Sequence, residues 1–334
     1  AMLAMPISDA EIKDVFWSLK PNKAPGPDGY SAGFFKSSWD IVGKEVTLAI
    51  KSYFETGNLL SEVNSTIIAL IPKVPNHTKV GDYRPISCCN TMYKCIAKII
   101  AYRVKIVLPD LVDPVQSAFV QGRRISDNIF LSQEIMRGYH RNSKIPKCAM
   151  KVDIMKAYDN VRWEFILDIL SAMNFPPCMI MWIKACMTSP SFSICINGSL
   201  HGYFKGARGL RQGDPMSPYL FVLAMEILAR ILAEKACDPL FKFHWRCDKT
   251  KIVNLCFADD LMIFSKGDTA TVNLIMQGLE EFRQLSGLTP SPSKSNLFFS
   301  GCNRELKNDI LRISKFTEGT LPVKYLGVPL ITTK

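Results

Sequence analysis

The sequence predicts an α+β protein in which helices alternate with short strands. Two observations support this class. Helical periodicity dominates residues 8–147, whereas residues 148–334 mix helices with apolar strands and hairpin signals. Of the 334 residues, 48% are hydrophobic and 21% are charged, a globular composition sufficient for one large domain or two smaller ones sharing a cleft. We predict two regions with a boundary near residue 147, where an excess of basic residues gives way to a mixed pattern of helices and strands.

The first region begins with a helix. Ser8 and Glu11 form a capping-box pattern before an amphipathic segment that ends near Leu19. A turn-rich loop of prolines and glycines follows at 21–29. Further along the region, the pattern predicts helices at about 31–56, 91–108 and 127–141, and a strand at 63–73.

The second region alternates strands and helices. Asn197-Gly198 suits the tight turn of a hairpin over 193–204, and two strands within 252–265 meet at Asp259-Asp260. The remaining predicted elements are strands at 148–154, 296–299 and 324–328, and helices near 159–173, 177–187, 217–235 and 270–285.

The charge of the chain favours a polyanionic partner. The formal net charge is +11, and the segment Lys79–Lys147 carries twelve Lys and Arg against five Asp and Glu. Nucleic acid is the first partner this suggests and an anionic membrane surface the second, while a basic enzyme that binds no polyanion is the alternative. No uncharged apolar stretch reaches the roughly 18 residues of a membrane helix, so we expect no membrane span.

The cysteines predict a reducing, intracellular environment. There are eleven, an odd number, and none forms a CxxC pair. Most lie in apolar runs, which is typical of buried reduced thiols in a cytosolic or nuclear protein. No secretory signal is visible. The sequence gives no indication of an oligomeric state.

Three aspartates are candidate metal ligands. Asp259 and Asp260 interrupt an apolar strand pair, where ionised carboxylates are costly without a partner. Asp153 follows the apolar strand at 148–152 and is the natural third acid. Such carboxylates can bind Mg²⁺ together with substrate phosphates, and two ions could activate a 3′-hydroxyl and stabilise a leaving pyrophosphate. The alternative is a solvated turn, the more common role of an isolated Asp-Asp pair.

These acids lie in an ordered series of motifs that resembles the reverse transcriptases of non-LTR retrotransposons. LCFADDLMIF resembles their F/YxDD signature, and KVDIMKAYDNVRW resembles motif A in the form usual for plant LINE-type elements. GLRQGDPMSPYLFVLAMEIL resembles motif B. Similar segments occur at 23–36 (upstream non-LTR motif), 70–100 (finger motifs 1 and 2), 117–129 (before motif A), 286–301 (motif D) and 321–330 (motif E). Eight motifs in the family's order are highly specific.

The resemblance implies a right-hand polymerase fold, with fingers at 8–147 and a palm at 148–334 built on an antiparallel sheet. The thumb that usually follows motif E, an upstream endonuclease domain and an RNase H or zinc-knuckle region are not seen in the sequence. The resemblance therefore implies a fragment of the polyprotein-like second reading frame of a retrotransposon, or a degenerate copy of it.

The resemblance also implies roles for the residues around the acids. Asp153, Asp259 and Asp260 would hold two Mg²⁺ ions, or Mn²⁺ in their place, and the backbone of Ile154 would carry a metal-bound oxygen. Tyr158 would be a steric gate, because a bulky ring beneath the incoming sugar clashes with a 2′-hydroxyl. Without the resemblance, Tyr158 would be interpreted as a core aromatic.

Further residues are implied to bind the incoming dNTP. Lys73 and Arg84 would reach the triphosphate as a point charge and a planar fork; the alternative is a solvated loop. Gln212 and Arg211 would line the nucleotide and template side of the pocket. Asp214 in the same turn would orient backbone rather than bind metal.

Three basic residues complete the implied site. Arg123 and Arg124 would contact the template backbone, with structural salt bridges as the alternative. Lys294 would be the motif D lysine, a candidate proton donor to pyrophosphate. This last assignment is weakened because Thr-Pro-Ser at 289–291 departs from the family pattern, which often has Lys and Asn at the first and third of these positions.

The implied reaction is addition of dNTPs to the 3′ end of a DNA primer on an RNA template, and the family implies the nucleus as the location. One alternative is a group II intron maturase-type reverse transcriptase. A second is a catalytically silent remnant that at most binds RNA. A third is a two-metal nuclease, which would need neither Tyr158 nor the two triphosphate-facing cations.

Overall fold

The computed structural model describes residues 2–141 and 144–330. Their backbone contacts divide the chain into two compact units. The first comprises residues up to Val107 together with Val161–Leu220, and the second comprises Leu108–Asn160 together with residues from Phe221 onward. Each unit therefore consists of two separate stretches of chain. The sequence boundary near residue 147 instead falls inside the second unit.

The described residues contain α-helices, β-strands and two short 3-10 helices, Met2–Ala4 and Val80–Asp82. The α-helices are α1 (Asp9–Ser18), α2 (Ala32–Ser37), α3 (Trp39–Thr56), α4 (Thr91–Leu111), α5 (Ile125–Met136), α6 (Ala157–Asn160), α7 (Trp163–Ala172), α8 (Pro177–Thr188), α9 (Ser217–Lys235), α10 (Thr269–Ser286) and α11 (Arg304–Ser314). The strands are β1 (Ser65–Pro72), β2 (Tyr83–Cys89), β3 (Lys147–Val152), β4 (Ser191–Ile196), β5 (Ser199–Lys205), β6 (Asn254–Phe257), β7 (Asp260–Lys266), β8 (Asn296–Ser300), β9 (Thr317–Glu318), β10 (Val323–Tyr325) and β11 (Val328–Leu330).

In the first unit, the described strands form a sheet in the order β2-β1-β4-β5. β1 pairs antiparallel with β2 and parallel with β4, where Ser65 lies opposite Ser191. The β4–β5 hairpin turns at Asn197 and Gly198, both with positive φ (50° and 82°), which confirms the predicted tight turn. Because β4 joins a strand more than a hundred residues before it, a single cut in the sequence cannot separate the units.

In the second unit, a sheet runs in the order β6-β7-β3-β8-β9 through the described residues. β3 lies at its centre and pairs antiparallel with both β7 and β8. Apolar residues of this sheet pack with α5 and with the small β10–β11 sheet. This core contains Ile135, Met136, Tyr139, Ala149, Cys247, Leu255, Met262, Phe264, Phe298, Tyr325 and Leu330. β3 is therefore paired with a strand on each side and packs into this core, so the residues at its end are well supported.

The predicted elements agree with the structure where the signal is local. The Ser8 hydroxyl accepts a hydrogen bond from the Glu11 backbone N–H at 3.1 Å, as the capping pattern predicts. The single helix expected over 31–56 is two helices, because Ser38 leaves helical geometry (φ −105°, ψ 14°). The sequence analysis missed β2, β9 and α11, and the single strand expected at 324–328 is the β10–β11 pair. No helix among the described residues is long and apolar enough to cross a membrane.

Candidate active site

The three predicted acids lie at one end of the sheet of the second unit, where β3 ends and β7 begins. Asp153 directly follows β3, Asp260 begins β7, and Asp259 occupies the turn before it. The last pair between β3 and β7 joins Val152 to Leu261, so the next residue outward on each strand places Asp153 beside Asp260. Residues more than a hundred positions apart in the chain thus come together.

Electrostatic repulsion and desolvation act on this group. Partial desolvation by the surrounding protein raises the pKa of Asp259; a backbone N–H lowers it, and the charge of Asp153 raises it further. Burial likewise raises the pKa of Asp260, followed by the charge of Asp259, while Lys151 acts in the opposite direction. The acids therefore hold negative charge that this chain compensates only in part.

The chemistry of these donors fits a divalent cation. Among the described residues, no three Asp, Glu, His or Cys side chains are arranged to hold a metal ion as they stand. The raised pKa values of Asp259 and Asp260 nevertheless record carboxylates close enough to repel one another. Carboxylate oxygens are the ligands Mg²⁺ prefers, and its charge would offset this repulsion.

The segment at 289–295 anchors Asp153. The Asp153 backbone N–H donates to the Ser295 hydroxyl at 3.1 Å, and its carbonyl accepts from the Ser291 N–H at 2.7 Å. The next residue, Ile154, is buried and bridges Pro290 in antiparallel fashion. The contacts of residues 290 and 291 are made by backbone, so the unusual Thr-Pro-Ser does not remove them.

Lys294 lies on the same anchoring turn. Its backbone N–H donates to the Ser291 carbonyl at 3.2 Å, and its side chain is exposed. The lysine therefore belongs to the segment that holds Asp153.

Tyr158 lies close enough to the acids to be affected by their charge. It is in α6, and its ring stacks on Phe221 with centroids 4.8 Å apart and planes 16° from parallel. Burial and then the charge of Asp259 raise the pKa of its hydroxyl to about 12, so it stays protonated at neutral pH. The structure thus brings together Tyr158 and the aspartates, which sequence alone could not.

Lys73 and Arg84 lie on the exposed end of the β1–β2 hairpin in the first unit. Arg84 is opposite Ile71, and the Lys73 backbone N–H donates to the Asp82 carbonyl at 2.7 Å. Because alternate residues share a face, Lys73 and Arg84 project from the same side. The Lys73 ammonium donates to the Gly81 carbonyl at 3.1 Å.

Arg211 is part of the core of the first unit, contrary to the prediction that it lines the nucleotide and template side of the pocket. It is 8% exposed, its guanidinium lies 3.1 Å from the Asp214 carboxylate and donates to Asn64 and Thr66, and it stacks 4.0 Å from the centroid of the Tyr93 ring. Both terminal nitrogens of the guanidinium are thus engaged inside the first unit.

Asp214 orients backbone, as predicted. Its carboxylate accepts from the Met216 N–H at 2.8 Å and from the Tyr93 hydroxyl at 2.5 Å. The neighbouring Gln212 carbonyl accepts from the Ser87 N–H at 2.8 Å. Gly213 has φ 107°, and a Cβ there would lie 3.1 Å from the Ser87 carbonyl oxygen. Only glycine fits this close approach to β2.

Arg123 also has a structural role. The alternative considered for it was a salt bridge, but its partners are backbone carbonyl groups. Its guanidinium donates to the carbonyls of Asp113 (2.5 Å), Gln116 (2.6 Å) and Val112 (2.7 Å), and more weakly to that of Pro109 (3.4 Å). It therefore caps the C-terminal end of α4 and fixes the loop beyond it. This engagement contradicts a primary role in template binding.

Arg124 differs from its neighbour. It is exposed, and its side chain forms no hydrogen bond or ion pair with the residues that the structure describes. Of the two arginines predicted to contact template, Arg124 alone keeps its guanidinium available.

The fold is similar to that of a solved telomerase. The structure of apo telomerase from Candida tropicalis, truncated from its C-terminal domain, superposes with a TM-score of 0.51, covering 82% of this chain and 57% of the telomerase chain at 11% identity. At this identity the likeness concerns the fold alone.

The chain belongs to the reverse transcriptase (RNA-dependent DNA polymerase) family, whose sequence model matches residues 71–330. It is 29% identical to the Transposon TX1 uncharacterized 149 kDa protein of Xenopus laevis over 98% of this chain and 24% of that protein. It is 28% identical to the retrovirus-related Pol polyprotein from type-1 retrotransposable element R2 of Nasonia vitripennis, over 96% of this chain and 30% of the polyprotein. The chain thus spans less than a third of these relatives. The matches support the resemblance to non-LTR retrotransposons.

Proposed function

We propose that this chain is an RNA-directed DNA polymerase core that extends a DNA primer with dNTPs on an RNA template. One observation carries the proposal. Asp153 and the Asp259-Asp260 pair come from distant segments and lie together at the ends of β3 and β7. Tyr158 lies close enough for the charge of Asp259 to raise the pKa of its hydroxyl. A two-metal nuclease would need the acids but not the tyrosine.

The acids would hold the metal ions that the chemical step needs. Asp153, Asp259 and Asp260, with the backbone carbonyl of Ile154, are the groups that would hold two Mg²⁺ ions, or Mn²⁺ in their place. When bound, such ions activate the primer 3′-hydroxyl and neutralise the leaving pyrophosphate. Lys294, on the turn that anchors Asp153, donates a proton to that pyrophosphate.

Substrate selection falls to other side chains. The Tyr158 ring, held against Phe221, excludes nucleotides with a 2′-hydroxyl. Lys73 and Arg84 bind the triphosphate from the β1–β2 hairpin, and Gln212 contributes to the nucleotide pocket. Arg124 contacts the phosphates of the template. With a net charge of +11, nucleic-acid affinity falls steeply with salt.

The source we propose is the second reading frame of a plant LINE-type element. The form of motif A, the KAPGPDG loop and the RQGDPMSP turn support this over a group II intron maturase. We place its work inside the cell, in the nucleus for a LINE-type element. The eleven cysteines are all unpaired, which suits a reducing compartment.

Primer extension tests the proposal. The purified chain is incubated with poly(rA)/oligo(dT) and dTTP in Mg²⁺ or Mn²⁺, beside the double variant Asp259→Asn/Asp260→Asn. We expect extension by the native chain and none by the variant, because two of the three ligands are lost. Equal thermal melting of the two proteins, or a higher melting temperature of the variant, shows that folding is not the cause.

The other outcomes separate the alternatives. A shortened primer or template would identify a nuclease. A folded chain that binds RNA but extends nothing would identify a catalytically silent remnant. Extension that persists in the double variant would contradict the assignment of the acids.

A further inference from the structure

The turn that carries the catalytic acids has an unusual backbone. Ala258 and Asp259 form the two-residue connection between β6 and β7, since Phe257 pairs with Asp260. Ala258 has φ 54°, a left-handed conformation that favours glycine and costs a residue with a Cβ atom about 1 kcal/mol or more. Such a conformation persists only where the surroundings impose it.

Gln116 is hydrogen-bonded to the turn at this residue. Its side-chain oxygen accepts hydrogen bonds from the Ala118 N–H at 3.0 Å and from the Ala258 N–H at 3.1 Å. The residue is only 1% exposed. Because both neighbours are donors, the carboxamide oxygen, and not its nitrogen, must face them. One buried acceptor thus joins its own loop to the turn, 142 residues further along the chain.

The same loop also holds the strand before the turn. The Cys256 N–H donates to the Val115 carbonyl at 2.8 Å, and the Cys256 carbonyl accepts from the Ser117 N–H at 3.0 Å and the Asn128 amide at 2.9 Å. Gln116 itself bridges Cys256 in parallel fashion. β6 is therefore fastened along its outer edge, and Gln116 extends this fastening to Ala258.

Arg123 fixes the loop from its other side. Its guanidinium binds the Gln116 carbonyl at 2.6 Å and the Asp113 carbonyl at 2.5 Å. The Asp113 N–H in turn donates to the buried Glu226 carboxylate at 2.9 Å. A charge-assisted donor with several acceptors is strong and directional, so the loop has little freedom to withdraw from the turn.

We infer that Gln116 is a positioning residue for Asp259 and Asp260, and that Arg123 locks the loop that carries it. Gln116 touches no reacting atom in this arrangement; it acts by fixing the backbone from which both carboxylates project. The inference rests on the proposed polymerase function for its catalytic consequence, but its structural part does not.

Hydrogen exchange at Ala258 tests the structural part. In Gln116→Met the side chain keeps its length and loses the acceptor. We expect the Ala258 amide to exchange at least about tenfold faster, because one buried hydrogen bond is lost. Amides of β3 and β7 should keep their protection. The measurement uses the whole chain without divalent cations and does not depend on activity.

Primer extension tests the catalytic part. We expect Gln116→Met to lower kcat by about 10- to 100-fold, since a misplacement of catalytic groups by about 1 Å can cost about 100-fold. KM for the dNTP should change less than about twofold, because the proposed triphosphate-binding side chains, Lys73 and Arg84, belong to the first unit and Gln116 to the second. A purely structural defect would instead lower the amount of folded enzyme and leave kcat per folded molecule unchanged.

Two matched pairs of variants complete the test. Ser265→Ala removes another fully buried polar group of the second unit, one whose hydroxyl has no hydrogen-bond partner among the described residues, and should leave Ala258 exchange and kcat unchanged. Arg123→Lys should accelerate Ala258 exchange about three- to tenfold, since an ammonium cannot bind the same set of carbonyls; Arg124→Lys should not. If Gln116→Met does not fold, comparison of Ala258 exchange in Arg123→Lys and Arg124→Lys still tests the inference.

Each result supports or overturns the inference. Unchanged Ala258 exchange in Gln116→Met, or in Arg123→Lys, would overturn it. So would a uniform loss of protection across β3 and β7, which would make Gln116 a general support of the fold. If the native chain extends no primer, the polymerase proposal fails, whereas the exchange data still report on Gln116 by themselves.

Discussion

Two turns of this molecule carry aspartates. In one, neighbouring groups of the protein neutralise the charge, and in the other they compensate it only in part. In the turn of the first unit, the Asp214 carboxylate is 4% exposed and is surrounded by Arg211, the Tyr93 hydroxyl and the Met216 N–H. In the turn of the second unit, burial raises the pKa values of Asp259 and Asp260, and the charges of neighbouring aspartates raise them further.

The difference separates charge that builds the fold from charge that is kept for a ligand. Both carboxylate oxygens of Asp214 have partners inside the protein, so this acid belongs to the fold. The second turn leaves its carboxylates mutually repelling, an arrangement that costs stability and is relieved by a bound cation. Sequence motifs mark both turns equally; the surroundings tell them apart.

The largest expected effect is at the buried ion pair. Asp214→Ala should destabilise the chain by about 3–5 kcal/mol, because it leaves the Arg211 guanidinium buried without its counter-charge. Urea unfolding measures this. Asp248→Ala breaks the exposed pair with Lys251 and should cost at most about 1 kcal/mol. Similar losses for the two variants would remove the distinction between the turns.

A smaller effect is expected beside the second turn. Tyr158→Val should reduce discrimination against ribonucleotides by about 100-fold, a change typical of removing a steric clash. Tyr158→Phe keeps the ring and should retain discrimination, because the hydroxyl is not the blocking group. Single-nucleotide incorporation of dTTP and UTP gives the ratio. Loss of discrimination in the phenylalanine variant would assign selection to the hydroxyl instead.

The repulsion at the second turn should be visible as a gain in stability. Without divalent cations at pH 7, Asp260→Asn should stabilise the chain by about 0.5 kcal/mol, allowing for screening by solvent. The folded-state pKa of Asp260 is raised, so the cost of ionising it is complete above that pKa. The gain should shrink as pH falls through the folded pKa and vanish below about 3.9, the unfolded value.

Urea midpoints across pH 3–8 would record this behaviour. A loss of stability in Asp260→Asn at pH 7 would mean that its carboxylate is held by favourable contacts, as Asp214 is. The two turns would then not differ in kind.

The smallest effect concerns an exposed arginine. Arg124→Ala should weaken RNA binding modestly and reduce the slope of log affinity against log salt by about 1, because one phosphate contact is lost. Thermal stability should not change. Fluorescence anisotropy with labelled RNA at several salt concentrations provides the slope. An unchanged slope would exclude Arg124 from the nucleic-acid interface.

Local patterns in the sequence were reliable where neighbouring residues decide the structure. The Ser8 cap, the Asn197-Gly198 turn and the bounds of α9 follow from residues within a few positions of one another. The positions of Asp153, Asp259 and Asp260 at strand ends also followed from short apolar runs that end at an acid. These features need no knowledge of the distant chain.

Tertiary structure decided what each charged side chain does. Nothing in the neighbouring sequence separates Arg123 and Arg211 from the exposed Arg84 and Arg124. In the structure, however, Arg123 binds the carbonyls at the end of a helix and Arg211 lies in the core. The division into units, with β4 beside β1, and the grip of Gln116 on Ala258 likewise join residues far apart in sequence. The sequence by itself determined the elements and the acids, because these depend on local propensity. Which charges are committed to the fold and which remain for a ligand depended on contacts that exist only once the chain has folded.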